Sequence, residues 1–309
     1  MAFEIPKIEY TGKIREIELG KEGQKIKVGG ESAYPFYIFE GQMPNPPRIA
    51  IEVWDMEPEE WAEAAIEPYK DVINDPVAWA KKVTDEYKAD MVALQLVSTD
   101  PNGQNRGADE AAEIVKQVAD AISVPLIVWG SNNAEKDMEV LRKVAEVCEG
   151  KNLILAPVVE GNYKQIGATA IGYKHTVVAS TPIDINLAKQ LNILLENLGV
   201  PESSILIDPT TGGLGYGLEY TYSVMERLRM AALTQQDEKL QYPMVCNLAK
   251  EVWKTKEAKL PSDPLMGDAK KRGILMEAIT ATVLLLAGAD ILIMRHPDAI
   301  NLVREIIKD

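Results

Sequence analysis

From Arg48 onward the chain repeats one unit: a short run that is apolar on both faces, then a longer stretch with helical spacing. The runs fall at 49–54, 91–97, 126–129, 153–158, 176–179, 205–208, 244–246 and 291–294, eight in all. Runs this short, with no polar alternation, are what strands buried on both faces of a parallel sheet require. The stretches between them, such as 108–121, 135–148 and 185–198, read as amphipathic helices. In the last, Leu187, Leu191, Leu194, Leu195 and Leu198 share one face. Asp184 stands where a helix N-cap belongs and Gly199 where a C-terminal glycine does. Strand–helix alternation implies parallel strands joined by right-handed crossovers. Eight units predict an α/β fold closed into a (β/α)8 TIM barrel, with an open doubly wound sheet as the alternative. The length of 309 residues suits one such barrel plus an extension.

The first 47 residues follow a different rule. Residues 13–19 alternate apolar and polar, Gly20-Lys-Glu-Gly23 makes a turn, and 25–28 resumes the alternation, which predicts a β-hairpin. An aromatic cluster at 34–39 and the bend Pro44-Asn-Pro-Pro47 follow. The expected division is therefore 1–47, a hairpin and proline-rich extension packed on the barrel as a plug or lid, and 48–309, the barrel itself.

Charge and cysteine usage narrow the function classes. A net charge of -14 argues against nucleic acid or an anionic membrane as a partner. Two cysteines, Cys148 and Cys246, exclude a disulfide framework and are too few to ligate an iron–sulfur cluster. With two histidines besides, a dedicated zinc site is not expected. The most apolar run, 281–289, is too short to span a bilayer, and the N-terminus lacks the pattern of a signal peptide. A cytoplasmic protein is expected.

In a barrel of this kind, function sits at the carboxyl ends of the strands. That selects Trp54 and Asp55, Ser98 and Thr99, Gly130 and Ser131, the stretch 180–186, the stretch 208–217, Asn247, and Arg295 with His296. The most unusual segment is Asp208-Pro-Thr-Thr-Gly-Gly-Leu-Gly-Tyr-Gly217, with four glycines in its last six residues. Glycines let backbone approach a ligand and present unobstructed N–H groups. The helix expected from about Glu219 to Leu233 adds an N-terminus that favours phosphate. The spacing is neither a Walker loop nor GxGxxG. The plainer reading is a loop whose glycines only solve a turn. Asp208 suits a general acid or base, an acceptor for a heterocycle, or a structural cap. Asp184 is the better cap of its segment and Asn186 the better ligand. Cys246 reads as a buried small hydrophobe. His296 and Arg295 could meet a metal or a phosphate, but the Asp-x-His-x-x-Gly pattern of one class of metal-ligating histidines is absent, which favours a polar histidine at the rim.

Several ordered blocks resemble the small (delta-type) subunit of the corrinoid iron–sulfur protein of the acetyl-CoA decarbonylase/synthase (Wood–Ljungdahl) system. They are Val28-Gly-Gly30 with Pro35-Phe36 and Phe39-Glu-Gly41, Pro182-Ile-Asp-Ile-Asn186, Lys189-Gln-Leu-Asn-Ile193, Asp208-Pro209 with Gly212-Gly-Leu-Gly-Tyr-Gly217, Met225-Glu-Arg-Leu-Arg229, and Met294-Arg-His-Pro297. The resemblance implies a barrel paired with a large subunit that carries the iron–sulfur cluster and a corrinoid-binding domain. A corrinoid (cobalamin) shared between them would carry a methyl group from methyltetrahydrofolate, through its corrinoid methyltransferase, to acetyl-CoA synthase. It further implies a methyl-carrier subunit that is not catalytic alone and ligates no metal. Small uncharged groups at the mouth would cover the corrinoid and exclude water. The residues expected to contribute are Asn186, Asp208, Thr210, Thr211, Gly212, Gly213, Leu214, Gly215, Tyr216, Asn247, Arg295 and His296. The alternative is an enzyme, a pterin-binding methyltransferase or dihydropteroate-synthase-like barrel, which Asp208-Pro209 and the glycine-rich turn also resemble.

Overall fold

Each of the eight apolar runs is a strand in the computed structural model, which describes residues 3–308 apart from 36 and 216. After the hairpin strands β1 (Ile17–Leu19) and β2 (Ile26–Val28) come β3 (Arg48–Trp54), β4 (Met91–Gln95), β5 (Leu126–Trp129) and β6 (Ile154–Val158). The ring continues with β7 (Thr176–Ser180), β8 (Ile205–Asp208), β9 (Val245–Asn247) and β10 (Ile291–Met294). The eight lie parallel in the order β8-β7-β6-β5-β4-β3-β10-β9. The remaining gap, between β8 and β9, is bridged by the parallel pair Ile207 and Met244, where Ile207 N–H donates to the Pro243 carbonyl at 2.9 Å. The ring is thus nearly closed, as an eightfold barrel needs and an open sheet does not allow.

Burial explains why these sequences became strands. Every residue of β4, β5, β6, β7, β8 and β10 is buried, because the barrel interior takes one face and the helices take the other. The helices carry the caps their sequences advertise. The Asp184 side chain accepts the N–H groups of Asn186 and Leu187 at 2.7 and 3.0 Å, and Gly199 closes Ile185–Leu198 in the left-handed region at φ 101°.

The extension packs against the amino ends of the strands. Arg15 N–H donates to the Gln241 carbonyl at 2.9 Å, its guanidinium lies 4.5 Å from the centre of the Tyr242 ring, and Asn152 Nδ2 donates to the Gly20 carbonyl at 3.0 Å. Gln241, Tyr242 and Asn152 all precede strands, so these contacts lie at the end of the barrel opposite the expected functional face. There Arg229 is buried against Asp290 and also donates to the carbonyls of Tyr242 at 3.2 Å and Gly288 at 2.6 Å. No helix among the described residues is long and apolar enough to cross a membrane.

Candidate functional site

At the carboxyl ends of β5 to β9 lies an open cavity of about 360 Å³. Asp208 ends β8 at its floor, and Ser180, ending β7, is its register partner. Thr181, Thr210, Thr211 and Asn247 join them from the loops and from β9, with Asp137, Asn162 and Trp129 on the β5–β6 side and Lys250 and Glu251 at the edge.

Asp208 is 4% exposed, and that burial pushes its carboxyl up to about 6. The Thr210 N–H, donated to Oδ1 at 2.9 Å, opposes the shift. Ser180 also favours the anion, although its hydroxyl is outside hydrogen-bonding geometry. Asp137 shows the same balance on the opposite wall. Burial pushes it up to about 6 against the N–H and hydroxyl of Ser131, which reach Oδ1 at 2.8 and 3.0 Å. It fits there because residue 130 is glycine: a β-carbon on Gly130 would stand 2.4 Å from Asp137 Oδ1.

The floor leaves hydrogen-bonding capacity unused. Ser180 Oγ, Thr181 Oγ1, Thr211 Oγ1, Asn247 Oδ1 and Asp137 Oδ2 are buried and have no hydrogen-bond partner among the described residues. All five line this cavity. Folded proteins pair nearly all buried polar atoms, so a cluster of exceptions in one cavity points to a ligand.

The glycine loop plays a different part from the one its composition suggests. It reverses on itself: Gly213 bridges Gly217, and Leu218 N–H donates to the Gly213 carbonyl at 3.1 Å. A β-carbon on Gly212 would sit 2.5 Å from Gly217 backbone, and Gly217 itself adopts φ 109°. The turn alone therefore accounts for Gly212 and Gly217. At the head of helix Leu218–Leu233 the N–H groups of Leu218, Tyr220 and Thr221 donate to loop carbonyls, and in the loop Gly212 donates to Thr221 Oγ1 at 2.7 Å and Gly217 to Glu219 at 3.2 Å. Of this segment, Asp208, Thr210 and Thr211 line the cavity, whereas Gly212, Gly213, Leu214 and Gly215 do not. Tyr216 lies outside the described residues.

Three other candidates do not reach the cavity. Asn186 is exposed on the first turn of its helix. Arg295 and His296 are 2% and 1% exposed, buried under the β3–β10 sector instead of standing at the rim. Arg295 Nε donates to Glu52 at 2.7 Å, and its guanidinium lies 3.6 Å from the centre of the Trp61 ring. His296 stacks on Trp253 at 5.9 Å, and burial lowers its pKa, which keeps it neutral. Glu277, from helix Ala269–Leu286, accepts the N–H groups of Arg295 and His296 at 2.5 and 3.0 Å and the Trp253 indole at 2.9 Å. The sequence reading missed Asp137, Asn162 and Lys250. Asp137 and Lys250 sit inside helices rather than at strand ends, and Asn162 precedes one, so strand-end logic passes over all three. Among the described residues, no group of three or more His, Cys, Asp or Glu is placed to hold a metal ion.

Residues 16–307 match the family described as the CO dehydrogenase/acetyl-CoA synthase delta subunit. The chain is 39% identical to the acetyl-CoA decarbonylase/synthase complex subunit delta 1 of Methanosarcina thermophila, over 96% of this chain and 71% of that protein. It is likewise 39% identical to the subunit delta of Archaeoglobus fulgidus, over 98% and 70%. Among solved structures it resembles the dihydropteroate synthase of Xanthomonas albilineans, with a TM-score of 0.60 at 14% identity over 95% of this chain and 97% of that one. The Coxiella burnetii dihydropteroate synthase gives a TM-score of 0.59 at 14% identity with the same coverage. Likeness at that identity shows the shared barrel fold and nothing finer.

Proposed function

This chain belongs to the CO dehydrogenase/acetyl-CoA synthase delta subunit family, and from that premise we propose that it is the barrel subunit of a heterodimeric corrinoid iron–sulfur methyl carrier. In this reading a large subunit carries the iron–sulfur cluster and a corrinoid-binding domain, and the mouth of this barrel covers the corrinoid at the interface. The partners of the assembly are a methyltetrahydrofolate:corrinoid methyltransferase and acetyl-CoA synthase, and the place of work is the cytoplasm. When bound, the corrinoid's cobalt supplies the chemistry, by carrying a methyl group.

The observation that supports this reading is the set of five buried, unpartnered polar atoms in the mouth cavity. A barrel serving only as a scaffold has no reason to leave them without partners. Their chemistry suits a polar ligand: three hydroxyls, an amide oxygen and one oxygen of the Asp137 carboxyl offer both donors and acceptors. Among the described residues the lining holds no imidazole and no thiol. Thr210 N–H holds Asp208 in place, and Thr210 Oγ1 ties the loop to the Thr181 carbonyl at 2.8 Å, so the acceptors are fixed before a ligand arrives. At the rim, Pro182, Leu187 and the half-buried Leu214 offer apolar surface that excludes water once a partner is seated.

The test is the visible absorption spectrum of the chain purified anaerobically alone, then co-expressed with a large corrinoid-domain subunit and cobalamin. A colourless lone chain and a stoichiometric corrinoid-coloured heterodimer are expected. A lone chain that ignores partner and cobalamin, yet binds methyltetrahydrofolate, would instead establish a pterin-binding barrel enzyme. That second reading draws on the cavity's volume of about 360 Å³, which suits a small heterocycle.

A further inference from the structure

We propose that the floor of the mouth cavity recognises the corrinoid by a primary-amide arm of its periphery, with Asp208 and Asn247 accepting the amide N–H groups and hydroxyls of the Ser180, Thr181 and Thr211 group donating to its carbonyl. This rests on the function proposed above and gives the barrel a binding role that simple coverage does not require.

Size gives the first reason. Cavities of about 300–1,000 Å³ hold drug-sized ligands, and a corrin macrocycle with its side chains exceeds them. At about 360 Å³ this cavity cannot admit the ring, so only a substituent can reach the buried atoms. The second reason is polarity. Asn247 Oδ1 is an acceptor without a donor, and it stands beside the Asp208 carboxyl. Ser180, Thr181 and Thr211 are 7%, 5% and 5% exposed, and their unpartnered hydroxyls can donate. A primary amide, two N–H donors beside one carbonyl acceptor, matches that arrangement on both sides. A carboxylate arm would bring no donor and would face Asp208, Asp137 and Glu251, with exposed Lys250 as the one cation of the lining.

The neighbouring slot supplies a third reason. A second cavity of about 250 Å³, lined by Leu187, Leu191 and Leu194, shares Val159, Ser180, Thr181 and Pro182 with the first. The corrin edge sets methyl groups beside its amide arms. An apolar slot adjoining an acceptor-rich floor matches that pairing.

The experiment uses the heterodimer, stripped of corrinoid and reloaded at pH 8 with cobalamin or with its monocarboxylic acids, each bearing a carboxylate in place of one of the six primary amides. Retention is read from the visible spectrum after gel filtration and from the dissociation constant. One of the six acids is expected to bind about tenfold or more weakly than cobalamin, while the others stay close to it. Asp208→Asn should shrink that penalty in a heterodimer whose thermal melt shows it folded, because the substitution removes a like charge. All six acids binding within about twofold of cobalamin would overturn amide recognition and leave the covering role standing. If cobalamin itself is not retained, the covering role falls, and this inference falls with it.

Discussion

Two sectors of the barrel mouth bury carboxylates equally well and use them in opposite ways. Under β3 and β10, Glu52 accepts the Trp54 indole at 2.9 Å and Arg295 at 2.7 Å, and Glu277 accepts three N–H groups. Burial pushes Glu277 up to about 7, and the N–H groups of Arg295, His296 and Trp253 all find their acceptor in it, although His296 Nε2 and Trp61 Nε1 nearby have none. Beside β8, burial pushes Asp208 up to about 6, and four of the polar side chains that line its cavity, Ser180, Thr181, Thr211 and Asn247, have unpartnered atoms. A raised carboxyl therefore does not separate the two sectors. Unused hydrogen-bonding capacity gathered in one open cavity does. The first sector is a built-in plug, and the second awaits something from outside.

The largest effect expected from breaking this contrast comes from Glu52→Ala, which leaves the Arg295 guanidinium buried and unpaired. It should cost about 3–5 kcal/mol of stability, seen as a large fall in the thermal midpoint. A loss below about 1 kcal/mol would mean that the plug is not held by this pair.

A matched pair of amide substitutions sharpens the contrast through its sign. Glu277→Gln turns an acceptor into a donor facing N–H groups and should destabilise by about 1–3 kcal/mol at pH 8. Asp208→Asn should stabilise, because the folded protein holds that carboxyl at about 6 against an ordinary value of 3.8. A raised carboxyl gives stability that is present below about pH 4 and lost as pH climbs through about 6. The asparagine variant should therefore gain at most about 3 kcal/mol above pH 6 and nothing at pH 4. The check is denaturant unfolding at both pH values. The same sign for both variants would erase the distinction between the sectors.

The smallest effect belongs to Thr211→Val, whose hydroxyl has no partner to lose. Stability should change by less than about 1 kcal/mol, because no internal hydrogen bond is broken. A larger loss would show that the floor is structural and would bring the sectors together.

How much of this could be read in advance depended on range. Asp208 and Asn247 were legible because strand ends are countable and barrel function lies at one end. Arg295 and His296 satisfied the same rule and still ended in the plug, because Arg295 pairs with Glu52 across 243 residues and no local pattern announces that partner. Asp137 was hidden for the converse reason. It lies on the first turn of helix Ala134–Val147, and only the missing side chain of Gly130 lets it turn into the mouth. The glycine loop stayed open in the sequence because glycines that admit a ligand and glycines that admit a reversal look alike there.

The sequence by itself determined the eight strands, the helices between them with their caps, and the hairpin ahead of them. Periodicity, burial on both faces and capping are local properties, set by residues within a few turns of each other. Only the tertiary structure decided that the ring nearly closes through the Ile207–Met244 bridge, and that the extension packs at the amino end. It also decided which polar groups at the mouth found partners and which did not. Hydrogen-bond satisfaction belongs to side chains brought together from distant strands, and that meeting happens only when the barrel forms.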